Sequence, residues 1–392
     1  DIISVVIDEL DAVITRFGYA ESHRLMKEMA DFLTSLSSKN VYVYRDDCFA
    51  FFSDNEGTTE TVCCAIRKRL GGTWVLQGMP VAVSAHADVL RFPDFAHNCA
   101  EVNDILKYAG EHVESGKPVN VIDKKCADGF KHETELVALL KNAVENDGFD
   151  VYYQPIYNLE KEKYTSAEAL IRLSDTGSFG QVSPDEFIPV AEKNGLITDI
   201  GNIVLKKVCR FISGNRINEL GIDYVEVNLS GVQIVNSSLP DDIMAVLNEH
   251  NVPSHFLNFE MAETAETSNH MAVNIHRIRS GGSGFSLEDF GKVGSGLSKI
   301  TDNGFDIIKL DKSLVQPCLD RENKKAGIIL ESLIGMIRQL GIEIAAEGVE
   351  TEEMANELIA DGVNYLQGYY YSRPLSEGKF LEFIKQHNMK GT

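Results

Sequence analysis

Along the later part of the chain, six hydrophobic runs each close on an acid, an amide or a lysine. They are AEALIR (Ala167 to Arg172), VNLS (Val227 to Ser230), FEMAE (Phe259 to Glu263), LEDFG (Leu287 to Gly291), IKLD (Ile308 to Asp311) and AAEGVE (Ala345 to Glu350). A carboxylate set against an apolar core is costly unless it is paired or bound to a cation. Buried strands ordinarily end in turn residues, so the repeated polar ending predicts strands whose C-terminal ends converge on one charged site. A (β/α) barrel builds its active site in that way.

The elements around these runs alternate. In the first part, Ile2 to Asp8 reads as a strand, Glu21 to Leu36 as a helix and Val41 to Phe52 as a hairpin interrupted by Arg45, Asp46 and Asp47. A helix near Thr58 to Leu70, a strand near Val81 to Ala87, a helix from about Phe92 to Ala109 and a strand at Val119 to Asp123 follow. The pattern predicts an α/β sandwich over residues 1–125. The polar stretch 126–132 reads as a linker, and Glu133 to Glu145 as an amphipathic helix. Residues 133–392, about 260 in all, match the ~250 typical of a TIM-like (β/α)8 barrel. The fold class is therefore α/β in both halves.

Composition narrows the function classes. The chain has 392 residues, and its 44% hydrophobic and 24% charged content is that of a globular protein. A net charge of −22 disfavours long nucleic acid and anionic membrane surfaces. Seven cysteines without a CxxC pair read as scattered reduced thiols, which favours the cytoplasm. No run approaches the length of a membrane span. The chain begins at Asp1 inside a predicted strand, so a longer protein is expected, with a sensor or a membrane anchor upstream.

Tyr152–Tyr153–Gln154–Pro155–Ile156, Glu168–Ala169–Leu170–Ile171–Arg172, Phe187–Ile188–Pro189, Val227–Asn228–Leu229–Ser230, Ala346–Glu347–Gly348–Val349–Glu350–Thr351 and Gln367–Gly368–Tyr369 occur in the order found in EAL domains. From about Glu133 to Pro374 the chain resembles that family, the cyclic di-GMP phosphodiesterases and their catalytically silent relatives. The resemblance implies metal-dependent hydrolysis of cyclic di-GMP to linear pGpG with two divalent cations, Mg²⁺ or Mn²⁺, which favour oxygen ligands. It assigns Glu168, Asn228 and Glu260 to one cation, Glu288 to a shared position, and Asp289 and Glu347 to the second. Lys309, Asp311 and Glu347 form the implied catalytic group. Arg172, Gln154, Leu170 and Gln367 are implied to bind substrate, and Glu263 and Glu350 to anchor loops. The family also implies a homodimer.

Residue type alone leaves other roles open. Arg172, Glu263 and Glu350 equally suit salt bridges, Asn228 a strand cap, Gln367 a packing position and Lys309 a snorkelling side chain.

Two departures bear on activity. The family's DDFGTGYSS loop reads Glu288–Asp289–Phe290–Gly291–Lys292–Val293–Gly294–Ser295–Gly296, so the leading acid is one methylene longer. A shift on the order of 1 Å at a reacting centre can cost about a hundredfold in rate. A slow enzyme is expected, or alternatively a receptor that binds cyclic di-GMP without cutting it. The first half resembles a GGDEF domain, but its signature hairpin reads Arg45–Asp46–Asp47–Cys48–Phe49. Asp8 matches a metal-ligand position of that fold. Without the paired glycines that let a nucleotide approach the backbone, a regulatory domain without cyclase activity is expected.

Overall fold

The computed structural model describes residues 1–37, 40–53, 56–112, 117–263, 268–292, 300, 304–319 and 324–389. It divides into two compact units, Asp1–Glu135 and Leu136–Thr392. The expected linker at 126–132 is not an open segment, since it lies within one helix, Lys124–Glu145. Cys126, Ala127 and Phe130 pack against the Leu90, Ile105 and Ile122 cluster. That packing outweighs the ~1 kcal/mol helix penalty of Gly129.

Among its described residues the first unit contains seven strands: β1 (Ile2–Ile7), β2 (Tyr42–Arg45), β3 (Cys48–Phe52), β4 (Thr73–Leu76), β5 (Met79–Ala82), β6 (Ala85–Leu90) and β7 (Val119–Val121). Five make one sheet in the order β2-β3-β1-β6-β7, while β4 and β5 form a separate hairpin. Its turn, Gln77–Gly78, takes φ of 49° and 79°, the two positive values that a two-residue hairpin turn favours. The strand expected over Val81 to Ala87 is consequently two strands, because β5 turns back to pair with β4. The helix expected from Phe92 begins instead at Cys99, where the Asn98 side chain accepts from Glu101 N at 3.0 Å. That cap satisfies a helix-end donor and fixes the start. Leu25, Met29, Leu33, Val62 and Ile66 then bury against Ile3, Val5, Phe49 and Phe51.

In the second unit, β8 (Phe149–Asn158), β9 (Lys163–Leu173), β10 (Tyr224–Asn228), β11 (Leu257–Ala262), β12 (Gly284–Phe290), β13 (Ile307–Leu310), β14 (Glu343–Ala346) and β15 (Tyr365–Leu366) follow one another around a sheet. The sheet closes where β15 pairs with β8. It is an eight-strand α/β barrel with one correction to the expected (β/α)8 pattern. Strand β8 runs antiparallel to both β9 and β15. The reason is the connection: residues 159–162 are far too few for a parallel crossover, which needs a dozen or more.

Period-two alternation sorts the strands. Ala167, Ala169, Val225, Val227, Phe259, Met261, Phe285, Leu287, Ile308 and Leu310 join the helix-packed core. The intervening Glu168, Glu226, Glu260, Glu288 and Lys309 therefore face the barrel axis. Ile156, Ile307, Ala345 and Tyr365 form a small apolar cluster of their own, with Tyr224 against it. Among the described residues, no helix is long and apolar enough to cross a membrane.

One polar cluster in the first unit carries a stability consequence. His86 is bonded through Nδ1 to Asp8, and its Nε2 lies 3.3 Å from Asp88 Oδ2. Burial opposes the imidazolium, but Asp8 and Asp88 outweigh it and push His86 up to about 9. For Asp8, burial acts upward, but the His86 and Ser84 bonds hold it below its usual range. The His86 contribution, at most about 3 kcal/mol, is fully present below pH 6.5 and is lost as pH rises through about 9. The Asp8 contribution is lost only in acid. Trp74, the single tryptophan, is buried in this unit. Urea unfolding followed by its fluorescence should give a lower midpoint at pH 9.5 than at pH 6.5, and His86→Gln should abolish most of the difference.

Candidate active site

Five inward side chains meet in the barrel. Lys309 on β13 is fully buried, and its Nζ lies 2.7 Å from Glu260 Oε1, 2.8 Å from Glu347 Oε1, 3.2 Å from Glu226 Oε2 and 3.4 Å from Glu168 Oε2. Gln367, just past β15, donates to Glu168 Oε2 at 2.6 Å, and Asn228 at the end of β10 donates to Glu168 Oε1 at 3.0 Å. Glu168, Glu260 and Glu288 each present a carboxylate oxygen within 4.8 Å of the other two. The pairing steps the acids along the wall two residues at a time: Glu168 lies opposite Glu226, Asn228 opposite Glu260, and Ala262 opposite Glu288.

The electrostatics follow from burial and charge. Burial alone would strip the Lys309 proton, but Glu168, Glu226, Glu260 and Glu347 hold it well above the usual lysine range. Glu168 is destabilised by burial, yet Lys309, Gln367 and Asn228 more than compensate and keep it ionised below the ordinary value. Burial, then Glu226, push Glu260 well up. Burial, then Glu347 and Glu168, do the same to Glu288. Glu347 is pushed up to about 7, chiefly by burial, with Lys309 opposing. One ammonium does not balance this many acids, so the cluster calls for further positive charge. All its donors are hard oxygens, and Glu260 Oε2 has no hydrogen-bond partner. Those features suit a divalent cation.

The loop after β12 is tied to this layer. Glu263 N donates to the Glu288 carbonyl at 3.0 Å, and Gly291 N donates to Glu263 Oε2 at 3.1 Å. Asp289 takes a positive φ of 59°, and its carboxylate accepts from Lys292 Nζ at 3.1 Å. It thus stands outside the group of three converging acids. Val293, Gly294, Ser295 and Gly296 lie outside the described residues. Asp311 caps the helix Lys312–Val315 by accepting from Ser313 N at 2.8 Å. Gly348 has φ +64°, and a Cβ there would lie 2.6 Å from Lys312 Cβ, so only glycine fits beside Glu347.

Two cavities border the acids, and both include Glu168 and Glu288. The smaller, about 220 Å³, is lined by Gln154, Glu347, Glu350 and Gln367 among others. The larger, about 800 Å³, has apolar walls that include Leu170, Ile188 and Val204, with Asn228 and Asp289 at its polar side. The larger volume fits a small-molecule ligand. Gln154 also donates to the Ser372 carbonyl at 3.1 Å. Arg172 lines neither cavity; it donates to the Ile171 carbonyl at 2.7 Å, and its guanidinium lies 5.7 Å from the Tyr152 ring centre. The residue that sequence reasoning missed is Glu226. Its position two residues before Asn228 places both on one strand face, a signal that the VEVN run already contained.

Residues 138–374 match the family described as EAL domain. The signaling protein YkoW of Bacillus subtilis is 35% identical over 250 residues, 63% of this chain and 30% of that protein. The cyclic di-GMP phosphodiesterase NbdA of Pseudomonas aeruginosa is 25% identical over 394 residues, 97% of this chain and 49% of that one. The chain thus spans less than half the length of either relative. A solved structure, the EAL enzyme Bd1971 in its cAMP and cyclic-di-GMP bound form, superposes with a TM-score of 0.61 at 28% identity. It covers 67% of this chain and 70% of that one.

Removing the central ammonium should expose its structural role. Lys309→Met leaves buried acids without their counter-ion, a change worth roughly 3–5 kcal/mol. Thermal unfolding followed by circular dichroism should show a much lower midpoint near pH 8. Part of the loss should return at pH 5.5, where the orphaned acids take up protons.

Proposed function

The chain belongs to the EAL-domain family, and from that premise we propose that its second unit hydrolyses cyclic di-GMP to linear pGpG with two divalent cations, Mg²⁺ or Mn²⁺. The observation that carries this reading is the convergence of Glu168, Glu260 and Glu288 on one another, with the fully buried Lys309 against the first two. NbdA, which aligns with nearly the whole chain, is named as a phosphodiesterase of that dinucleotide.

Glu168, Asn228 and Glu260 would hold one cation, Glu288 would be shared, and Asp289 and Glu347 would serve the second. Bound cations would supply charge for the phosphoryl oxygens and lower the pKa of water. The protein's own groups do the rest. Gln367 and Asn228 fix both oxygens of Glu168, so its orientation is set before ligand arrives. Lys309 places a permanent positive charge where negative charge develops in phosphodiester cleavage. Glu263 holds the loop that presents Glu288. Leu170 and the apolar wall of the larger cavity accept a base, Gln154 lines the smaller one, and Arg172 meets a phosphate once turned from the Ile171 carbonyl. Asp311 acts through the helix it caps, and Glu350 through the loop beyond Gly348.

The first unit is read as a GGDEF-like regulatory domain without cyclase activity. Its β2–β3 turn places Arg45 Nε 3.2 Å from Asp47 Oδ1, where the active family has paired glycines. The protein is read as a homodimer controlled by an upstream sensor in the cytoplasm. A second reading, a receptor that binds without cutting, draws on the longer arm of Glu288.

Incubation with cyclic di-GMP and Mn²⁺ should yield pGpG, and absence of linear product in any divalent cation, with ligand still bound, would select the receptor. Glu347→Gln should lose at least about a hundredfold in turnover while keeping its circular dichroism spectrum. Glu288→Asp should turn over faster than the parent, because it restores the shorter arm.

Cation loading should also release protons. Glu260, Glu288 and Glu347, all raised by burial, hold protons that a cation displaces. Affinity for Mn²⁺ should therefore rise as pH climbs through about 7, as read by titration calorimetry in buffers of different ionisation enthalpy.

A further inference from the structure

Glu226 is a fourth carboxylate on Lys309 that none of the roles above uses. Val225 and Val227 face the helices, so Glu226 points into the barrel, where it is almost wholly buried. Its Oε2 lies 3.2 Å from Lys309 Nζ but makes no hydrogen bond. An ammonium has three N–H donors, and Glu260, Glu347 and Glu168 already surround it. In the cation-free protein Glu226 is thus surplus, a fourth buried acid around three ammonium donors and beside Glu260. Such a residue should be a liability.

The surplus disappears once cations are counted. Each of the other three carboxylates on Lys309 belongs to the set that would ligate metal. When they turn to divalent cations, Lys309 keeps its charge and its buried place but loses its hydrogen-bond acceptors. Glu226 alone among the four has no metal to serve. We infer that Glu226 is a positioning residue that takes over the Lys309 ammonium as the site loads, holding it in place and preventing it from competing with the cations for Glu168, Glu260 and Glu347. The inference rests on the phosphodiesterase reading only for its kinetic consequence.

The test uses the full chain, Mn²⁺ titration calorimetry and steady-state hydrolysis of cyclic di-GMP. Glu226→Gln keeps shape and removes charge. It should weaken Mn²⁺ binding by roughly 10- to 100-fold, the range seen for groups that orient metal ligands. The kcat should fall about as much, with KM moved less than about twofold, and Glu226→Asp should recover most of both. A Glu226→Gln protein within about twofold of the parent in Mn²⁺ affinity and kcat would overturn the inference. So would a Glu226→Asp protein as impaired as the glutamine variant, since length rather than charge would then be at stake. A parent chain that binds Mn²⁺ but does not turn over would defeat the phosphodiesterase reading alone and leave the titration to decide.

Heat unfolding at saturating Mn²⁺ gives an independent check should the glutamine variant prove too unstable to titrate. Glu226→Gln should lower Tm when Lys309 is present and raise it in a Lys309→Met background, where the lone acid has no partner. A change of the same sign in both backgrounds would overturn the pairing.

Discussion

A single ammonium held out of water among acids is the constraint on which the barrel interior depends. Lys309 can stay charged at full burial only because β9, β10, β11 and β14 each deliver a carboxylate to it. The converse also holds, since those acids could not sit together without it. The result is a centre whose pieces are mutually necessary, yet whose positive charge falls short of the negative. A structural ion pair would be balanced. An excess of oxygen donors over protons and ammonium is the arrangement expected where a mobile cation completes the count.

The scaffold delivers these groups with little reliance on loops. Strand alternation aims the acids inward while the opposite face packs on helices, so the same residues that stabilise the barrel also orient the site. Where loops do contribute, they are pinned. Glu263 ties the turn after β12 through Gly291, and Gly348 allows the chain to pass Lys312 closely enough to keep Glu347 at the mouth. Rigid elements of this kind hold reacting groups more closely than free loops do.

Much of this was legible in the sequence because strand endings are local. Acids closing apolar runs pointed to the convergence of Glu168, Glu260 and Glu347, and the count of residues after position 132 matched the size of a barrel. Other features depend on partners distant in sequence. The spacing of Glu226 from Asn228 shows its strand face, but its contact with the lysine on β13 emerges only when β10 is laid between β9 and β11. The reversal of β8 was implicit in its four-residue connection, but counting segments hides direction. The stretch 126–132 has loop-like polarity, and only packing by Cys126, Ala127 and Phe130 shows why it is helical. The left-handed backbone of Asp289, which turns its carboxylate to Lys292, has no signature in residue type.

The reversed first strand leaves the barrel with an uneven seam. Along most of the wall, neighbours share four or more paired positions, but β15 meets each of its neighbours at just two: β8 through Tyr365 with Asn158 and Leu366 with Tyr157, and β14 through Ala345 with Tyr365 and Ala346 with Leu366. The wall is therefore held by the fewest backbone pairs on both sides of β15. Gln367 stands at the edge of that fastening and grips Glu168 from it. Any loosening around β15 would reach the Glu168 carboxylate through one amide, which gives the barrel a short mechanical path from its briefest pairings to its buried acids.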